Sequence, residues 1–200
     1  MEITAEKIMQ QLSAGTQVAG VIAVFGEEGY YKDKIAAALP RAVFGDAAPE
    51  DREITVFERD TDIKEISAAV NTYPFFSGRS LVIIKDEKLW GGKDGGEKRK
   101  QQQEELAELL ADVPEHCQVL LLGEKIDKRG KLYKSLLKTA AMVECKSLKS
   151  YQLKPWLDEQ AALRGCRFDY EASQTIMEYL SVTDNAPLLL LEQDIEKLSV

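Results

Sequence analysis

Apolar residues along this chain gather in short continuous runs, and between the runs they recur every three or four positions, so that strand and helix periods alternate. Val21-Ile22-Ala23-Val24-Phe25, closed by Gly26, has the pattern of a strand buried on both faces of a parallel sheet. Before it, Ile8, Met9 and Leu12 share one side of an amphipathic helix over 5–14 that ends at Gly15. After it, a helix is predicted from Tyr30 to Leu39, stopped by Pro40. Glu53 to Phe57 reads as a second strand, and Ile63, Ile66, Val70 and Tyr73 recur at helical spacing behind a cap at Thr61 or Asp62. Further strands are predicted at Arg79 to Ile84, Val119 to Leu122 and Met142 to Cys145, with a helix over Gln102 to Leu110 and a basic one over Lys128 to Lys138. Trp90 to Lys100 is so rich in glycine and charge that a mobile loop is expected, with Gly91 to Gly96 at its centre.

Strands and helices alternating at these spacings imply right-handed crossovers and a mostly parallel sheet covered on both faces, the α/β class. From about Leu148 only the helical period remains, over Tyr151 to Leu163, Tyr170 to Leu180 and Leu188 to Leu198. An α/β domain over residues 1–147 followed by a small all-α domain over 148–200 is therefore expected. Leu188 to Leu191 is more apolar than a free terminus tolerates, which points to a fragment.

Charge narrows the function. Thirty-four acidic against 26 basic residues leave a net charge of -8, so general attraction to phosphate backbones is not the main property of the chain. No apolar run approaches the roughly 20 residues needed to cross a bilayer. Met1 to Glu6 carries acid where a signal peptide carries base, so a cytoplasmic protein without membrane contact is expected. Cys117, Cys145 and Cys166 are too widely spaced for a Cys-x-x-Cys pair and read as buried thiols, and His116, the only histidine, reads as a solvated loop residue. No metal site and no histidine-based triad is expected from these parts.

A strand ending in Gly26 invites comparison with the phosphate-binding loop G-x-x-x-x-G-K-[ST]. Tyr31 stands where the second glycine belongs, Lys32 keeps the lysine, and Asp33 replaces the magnesium-binding hydroxyl. A bulky side chain obstructs the backbone wrap, and Glu27, Glu28 and Asp33 put negative charge where phosphate would sit, so a loop that does not hold ATP is expected. Against this, Leu81 to Lys85 runs into Asp86-Glu87, a weak likeness to the acidic pair with which ATPases hold magnesium.

Asn71-Thr72-Tyr73-Pro74-Phe75-Phe76-Ser77-Gly78-Arg79-Ser80 is the most informative segment. Pro74 ends the preceding helix, which leaves Phe75 and Phe76 on a short connector. They are either core residues closing the helix on the sheet or a hydrophobic plug for a partner's pocket, and periodicity leaves both open.

Together with Val24-Phe25-Gly26-Glu27-Glu28, Ile126 to Lys134, Val143 to Lys146, Trp156 and Leu191 to Leu198, that segment resembles the delta-subunit family of the bacterial DNA polymerase III clamp loader over nearly the whole chain. The resemblance implies an AAA+/P-loop-like three-layer domain followed by a helical lid. It further implies a subunit without cofactor or intrinsic activity within the polymerase III holoenzyme. Such a subunit binds and opens the beta sliding clamp through a plug corresponding to Phe75 and Phe76, flanked by Pro74, Ser77 and Arg79. Delta-prime and gamma/tau subunits and primer-template DNA are the implied partners. The family's helical collar domain has no counterpart before Val200, which puts assembly by this chain alone in doubt. Lys128, Arg129, Lys131, Lys134 and Lys138 are either a DNA or subunit contact or a solvated face. Two other readings stay open: a divergent ATPase using Lys32, Asp86 and Glu87, and a nucleic-acid-binding module centred on the basic helix.

Overall fold

The computed structural model describes residues 1–16, 18–58, 61–85, 96–181 and 187–199. Its first unit, Met1–Cys145, is built on six parallel strands. In chain order these are β1 (Glu2–Ile3), β2 (Val21–Phe25), β3 (Glu53–Phe57), β4 (Ser80–Ile84), β5 (Cys117–Gly123) and β6 (Ala141–Glu144). They lie side by side as β1-β6-β2-β5-β4-β3, which places the most apolar strand inside the sheet between β6 and β5. Parallel neighbours need a crossover, and among the described residues five helices supply them: α1 (Ala5–Ser13), α2 (Gly29–Phe44), α3 (Ile63–Asn71), α4 (Gly96–Leu109) and α5 (Lys131–Thr139).

Alternation along the strands divides the core into two layers. Val21, Ala23 and Phe25 of β2, with Val82, Ile84, Val119 and Leu121, pack against Ile63, Ile66 and Val70 of α3, Leu106 of α4, and Leu132 and Leu136 of α5. The alternate residues Ile22, Val24, Leu81, Ile83 and Leu120 point to the opposite face, and Ile8, Leu12, Ile35 and Leu39 of α1 and α2 are buried with them. At the outer edge, β3 is only half covered, and Ile54 and Val56 stay exposed.

Several boundaries differ from expectation for local physical reasons. Instead of stopping at Pro40, α2 runs on to Phe44, because burial of Val43 and Phe44 outweighs the one backbone bond that proline removes. It ends at Gly45, whose left-handed φ of 59° lets its N–H reach the Arg41 carbonyl. The helix expected from Gln102 begins at Gly96, since the glutamates, lysines and glutamines of 97–105 are good helix formers. The loop expected over Trp90 to Lys100 is thus helical from Gly96, and Gly91 to Gly95 fall outside the described residues. Lys128 and Arg129 precede α5, because the Asp127 carboxylate accepts the Arg129 N–H at 3.0 Å and the Asp127 carbonyl that of Gly130 at 2.9 Å, closing a turn. Tyr73 lies beyond α3, which starts at Ile63 behind the N-cap Asp62, whose side chain accepts the Lys64 N–H. The two-residue β1 carries no pattern long enough to read, and it is held by pairing with β6 and by the Met1 ammonium, which donates to the Leu137 and Ala140 carbonyls at 2.8 and 2.6 Å.

The second unit, Lys146–Val200, consists of α6 (Ser150–Leu163), α7 (Tyr170–Ser181) and α8 (Leu188–Leu198). Leu153, Trp156, Leu157 and Ala161 form the buried face of α6. Arg164 joins α6 to α8 by donating to the Gln160 carbonyl at 3.0 Å and to the Glu192 carboxylate at 3.2 Å. No described helix is long and apolar enough to cross a membrane.

Leu121→Ala should lower stability by about 2–5 kcal/mol, since the site is sealed on the α3–α5 side of the sheet. Ile54→Thr on the half-covered edge should cost less than about 1 kcal/mol. Urea unfolding of the two variants beside the parent measures the contrast.

Candidate functional site

A parallel sheet gathers its loops at two ends, and the sequence-marked residues divide between them. At the C-terminal end of β2, Gly26 adopts a φ of 134°, and a Cβ built there would stand 1.9 Å from the Cys145 carbonyl oxygen. Only glycine fits this passage. The loop is then closed from inside. Lys32 Nζ donates to the Gly26 carbonyl at 2.8 Å, and the Glu28 carboxylate caps α2 by accepting the Tyr30 N–H at 3.0 Å. The Glu28 N–H donates to the Cys145 carbonyl at 3.2 Å. Tyr31 is 8% exposed and lies edge-to-face with Tyr30, while Asp33 faces solvent.

In a nucleotide loop the lysine and the amides of the first helical turn converge on phosphate. Here that lysine is engaged by the loop's own carbonyl, a carboxylate holds the helix N-terminus, and a tyrosine fills the place of the second glycine. These residues do not fit a triphosphate. Asp86 and Glu87 lie outside the described residues.

At the opposite end, the connector from α3 to β4 forms a knob. Thr72 closes α3 by donating from Oγ1 to the Ala68 carbonyl at 2.7 Å, and Asn71 Nδ2 donates to the Ser67 carbonyl at 2.8 Å. Pro74, expected beside the plug with Ser77 and Arg79, is buried and stands as a wedge in the chain between the end of α3 and the exposed rings. Phe75 is 86% and Phe76 69% exposed, and their rings meet edge-to-face at 5.0 Å. The reading of these two as core residues is thereby overturned. Ser77 Oγ donates to the Arg79 carbonyl at 2.6 Å across Gly78, whose φ of 66° turns the chain toward β4, and Arg79 is exposed. Tyr73, also exposed, lies tilted against the His116 ring, with centroids 5.1 Å apart and planes 59° from parallel. His116 is half-buried, not solvated, and its carbonyl accepts the Ser80 N–H at 2.8 Å.

One residue at the knob escapes sequence reading. Glu53, the first residue of β3, accepts the Phe75 N–H with both carboxylate oxygens, at 2.8 and 3.0 Å. A glutamate opening an edge strand carries no motif, and the 22-residue separation hides the pairing.

The basic stretch is split by its environment. Lys128 donates to both oxygens of Glu144 at 2.8 and 2.9 Å, and Lys131 pairs with Glu104 at 2.8 Å. Hydrogen bonding to Glu144 holds the Lys128 ammonium above its usual range, and the bond to Glu104 does the same for Lys131. Arg129, Lys134 and Lys138 are exposed.

Cys117 and Cys145 are buried, and burial pushes the Cys145 thiol up to about 12 and raises that of Cys117. Cys166 is half-buried. Among the described residues no group of three or more His, Cys, Asp or Glu could hold a metal ion.

The three-layer parallel sheet in the order β1-β6-β2-β5-β4-β3, with β2 inside it, defines an AAA+-like α/β module. The chain belongs to the family described as DNA polymerase III, delta subunit, whose profile matches residues 25–146. It is 28% identical over 185 residues to DNA polymerase III subunit delta of Bacillus subtilis, covering 91% of this chain and 52% of that protein. The chain thus spans about half the length of that curated relative. The solved structure of the Bacillus subtilis DNA clamp loader delta protein superposes with a TM-score of 0.77 at 24% identity, covering 98% of this chain and 57% of that one. The fold is shared more distantly with a chain of the E. coli MS115-1 HORMA:CdnC:Trip13 complex, with a TM-score of 0.50, 14% identity and 80% and 59% coverage.

Gly26→Ala should cost at least about 3 kcal/mol, because the new methyl meets backbone and the φ is unfavourable for any other residue. Thermal unfolding measures it. A thiol reagent at pH 8 should label Cys166 in the folded protein and reach Cys117 and Cys145 only after denaturation, as peptide mass mapping would report.

Proposed function

We propose that this chain is the clamp-docking part of a clamp-loader delta subunit. It binds the beta sliding clamp by inserting Phe75 and Phe76 into an apolar pocket and holds a clamp interface open without hydrolysing ATP. The observation that carries this reading is the exposure of two adjacent phenylalanines on a backbone pinned from both sides. Aromatic rings held in water contribute nothing to folding, and burial in a partner recovers their hydrophobic free energy. Ser77 and Arg79 rim the contact, and buried Pro74 supports it from below.

A plug opens a ring only as far as it binds the open form more tightly than the closed one. Timing then has to come from outside this chain, because the loop at Gly26 is filled by Lys32, Glu28 and Tyr31. In this reading, ATP bound by neighbouring motor subunits exposes the knob, and hydrolysis after DNA engagement withdraws it. Arg129, Lys134 and Lys138 remain for DNA or a neighbouring subunit. Lys128 and Lys131, neutralised by Glu144 and Glu104, contribute little there.

Phe75→Ala with Phe76→Ala should weaken binding to the sliding clamp of the same source by about 2 kcal/mol or more, roughly thirtyfold, with the circular dichroism spectrum unchanged. Equal affinity for the clamp would sink the docking reading. Titration with magnesium-ATP should give no saturable signal at micromolar nucleotide, and saturation there would restore the ATPase reading through Lys32.

A further inference from the structure

Glu53 stands apart from the sequence-marked residues, yet it makes the most direct contact with the knob. Its carboxylate belongs to the outermost strand of the sheet, where Glu53 is in register with Ser80, the first residue after the knob. Both oxygens converge on a single donor, the Phe75 N–H. Among the described residues no lysine or arginine pairs with it.

The choice of donor matters. Pro74 is buried and has no N–H, so the Phe75 amide is the first backbone donor past the wedge and the last before the exposed rings. A charged acceptor makes a stronger bond to an amide than a neutral one does. On the far side, the Ser77 hydroxyl and Gly78 close the return toward β4. The segment between carries 86% and 69% exposed rings with no core beneath them to set their direction. What orients them is the backbone, and what fixes the backbone on the incoming side is Glu53.

We propose that Glu53 is a positioning residue for partner docking, a carboxylate clasp that holds the knob in its binding geometry before the partner arrives. The proposal rests on the docking role of Phe75 and Phe76. A loop ordered in advance loses less conformational freedom on binding, so the clasp acts through affinity and not through fold stability. Glu53 need not touch the partner to do this.

The test uses the full chain as wild type, Glu53→Ala, Glu53→Gln and the Phe75→Ala/Phe76→Ala pair, with purified sliding clamp as the probe. Hydrogen exchange at the Phe75 amide, clamp affinity and thermal midpoint are measured for each, except that the double variant is read by affinity and midpoint. Glu53→Ala should speed Phe75 exchange and weaken clamp binding, each roughly tenfold, with the midpoint unchanged. Glu53→Gln keeps a carbonyl acceptor and should recover most of both. Unchanged exchange and affinity in Glu53→Ala, beside a double variant that has lost binding, would overturn the clasp while leaving the docking reading intact. Slow exchange with weak binding in Glu53→Gln would overturn it in favour of a direct charge contact with the clamp. Full affinity in the double variant would remove the docking role itself, and the clasp's functional part with it.

Discussion

A strand with water on neither face is the constraint from which the rest of this protein follows. Val21 to Phe25 is apolar at every position, so it must be covered on both sides, and in a parallel sheet the covering helices are the crossovers themselves. All strands then start at one end of the sheet and finish at the other. Loops that leave strands gather at one end, and loops that enter strands gather at the opposite end. The Gly26 turn follows β2 and the aromatic knob precedes β4, so the two are held apart by the length of the sheet.

At the first end, packing has taken over what chemistry would otherwise use. Gly26 passes the Cys145 carbonyl closely enough to exclude any side chain, and the turn is then stitched by Lys32 and Glu28, residues that in a nucleotide site would face ligand. Tyr31 completes the closure by entering the core. Lys32 and Glu28 bond within the turn and Tyr31 packs into the core, so the loop keeps its shape without a ligand.

At the second end the balance is reversed. Phe75 and Phe76 are left in water, and the surrounding polar contacts stabilise a conformation instead of a core. A buried proline, a carboxylate on a neighbouring strand and a hydroxyl across a left-handed glycine all act on main-chain atoms. The direction of the rings is thus set by backbone hydrogen bonds that are indifferent to the rings themselves. That division leaves the aromatic side chains with no part in holding the connector.

Much of this was legible in the residues. The runs at Val21, Leu81 and Val119 read as buried parallel strands because they are short, the first two are rich in β-branched residues, and all are separated by helical periods. Tyr31 and Asp33 depart from the phosphate-loop pattern at the positions where backbone wrap requires glycine and magnesium a hydroxyl, a departure visible in the residues alone. Tertiary structure alone decided what depends on contacts between distant positions. Pro40 sits inside a helix because Val43 and Phe44 find a core beyond it. Lys128 and Lys131 are neutralised by acids from β6 and α4 that no local pattern connects to them. Periodicity could not choose between burial and exposure for Phe75 and Phe76, since two adjacent residues on an irregular connector define no face. Only the assembled sheet brings Glu53 beside the Phe75 amide, because pairing between adjacent strands and not proximity in sequence sets that distance.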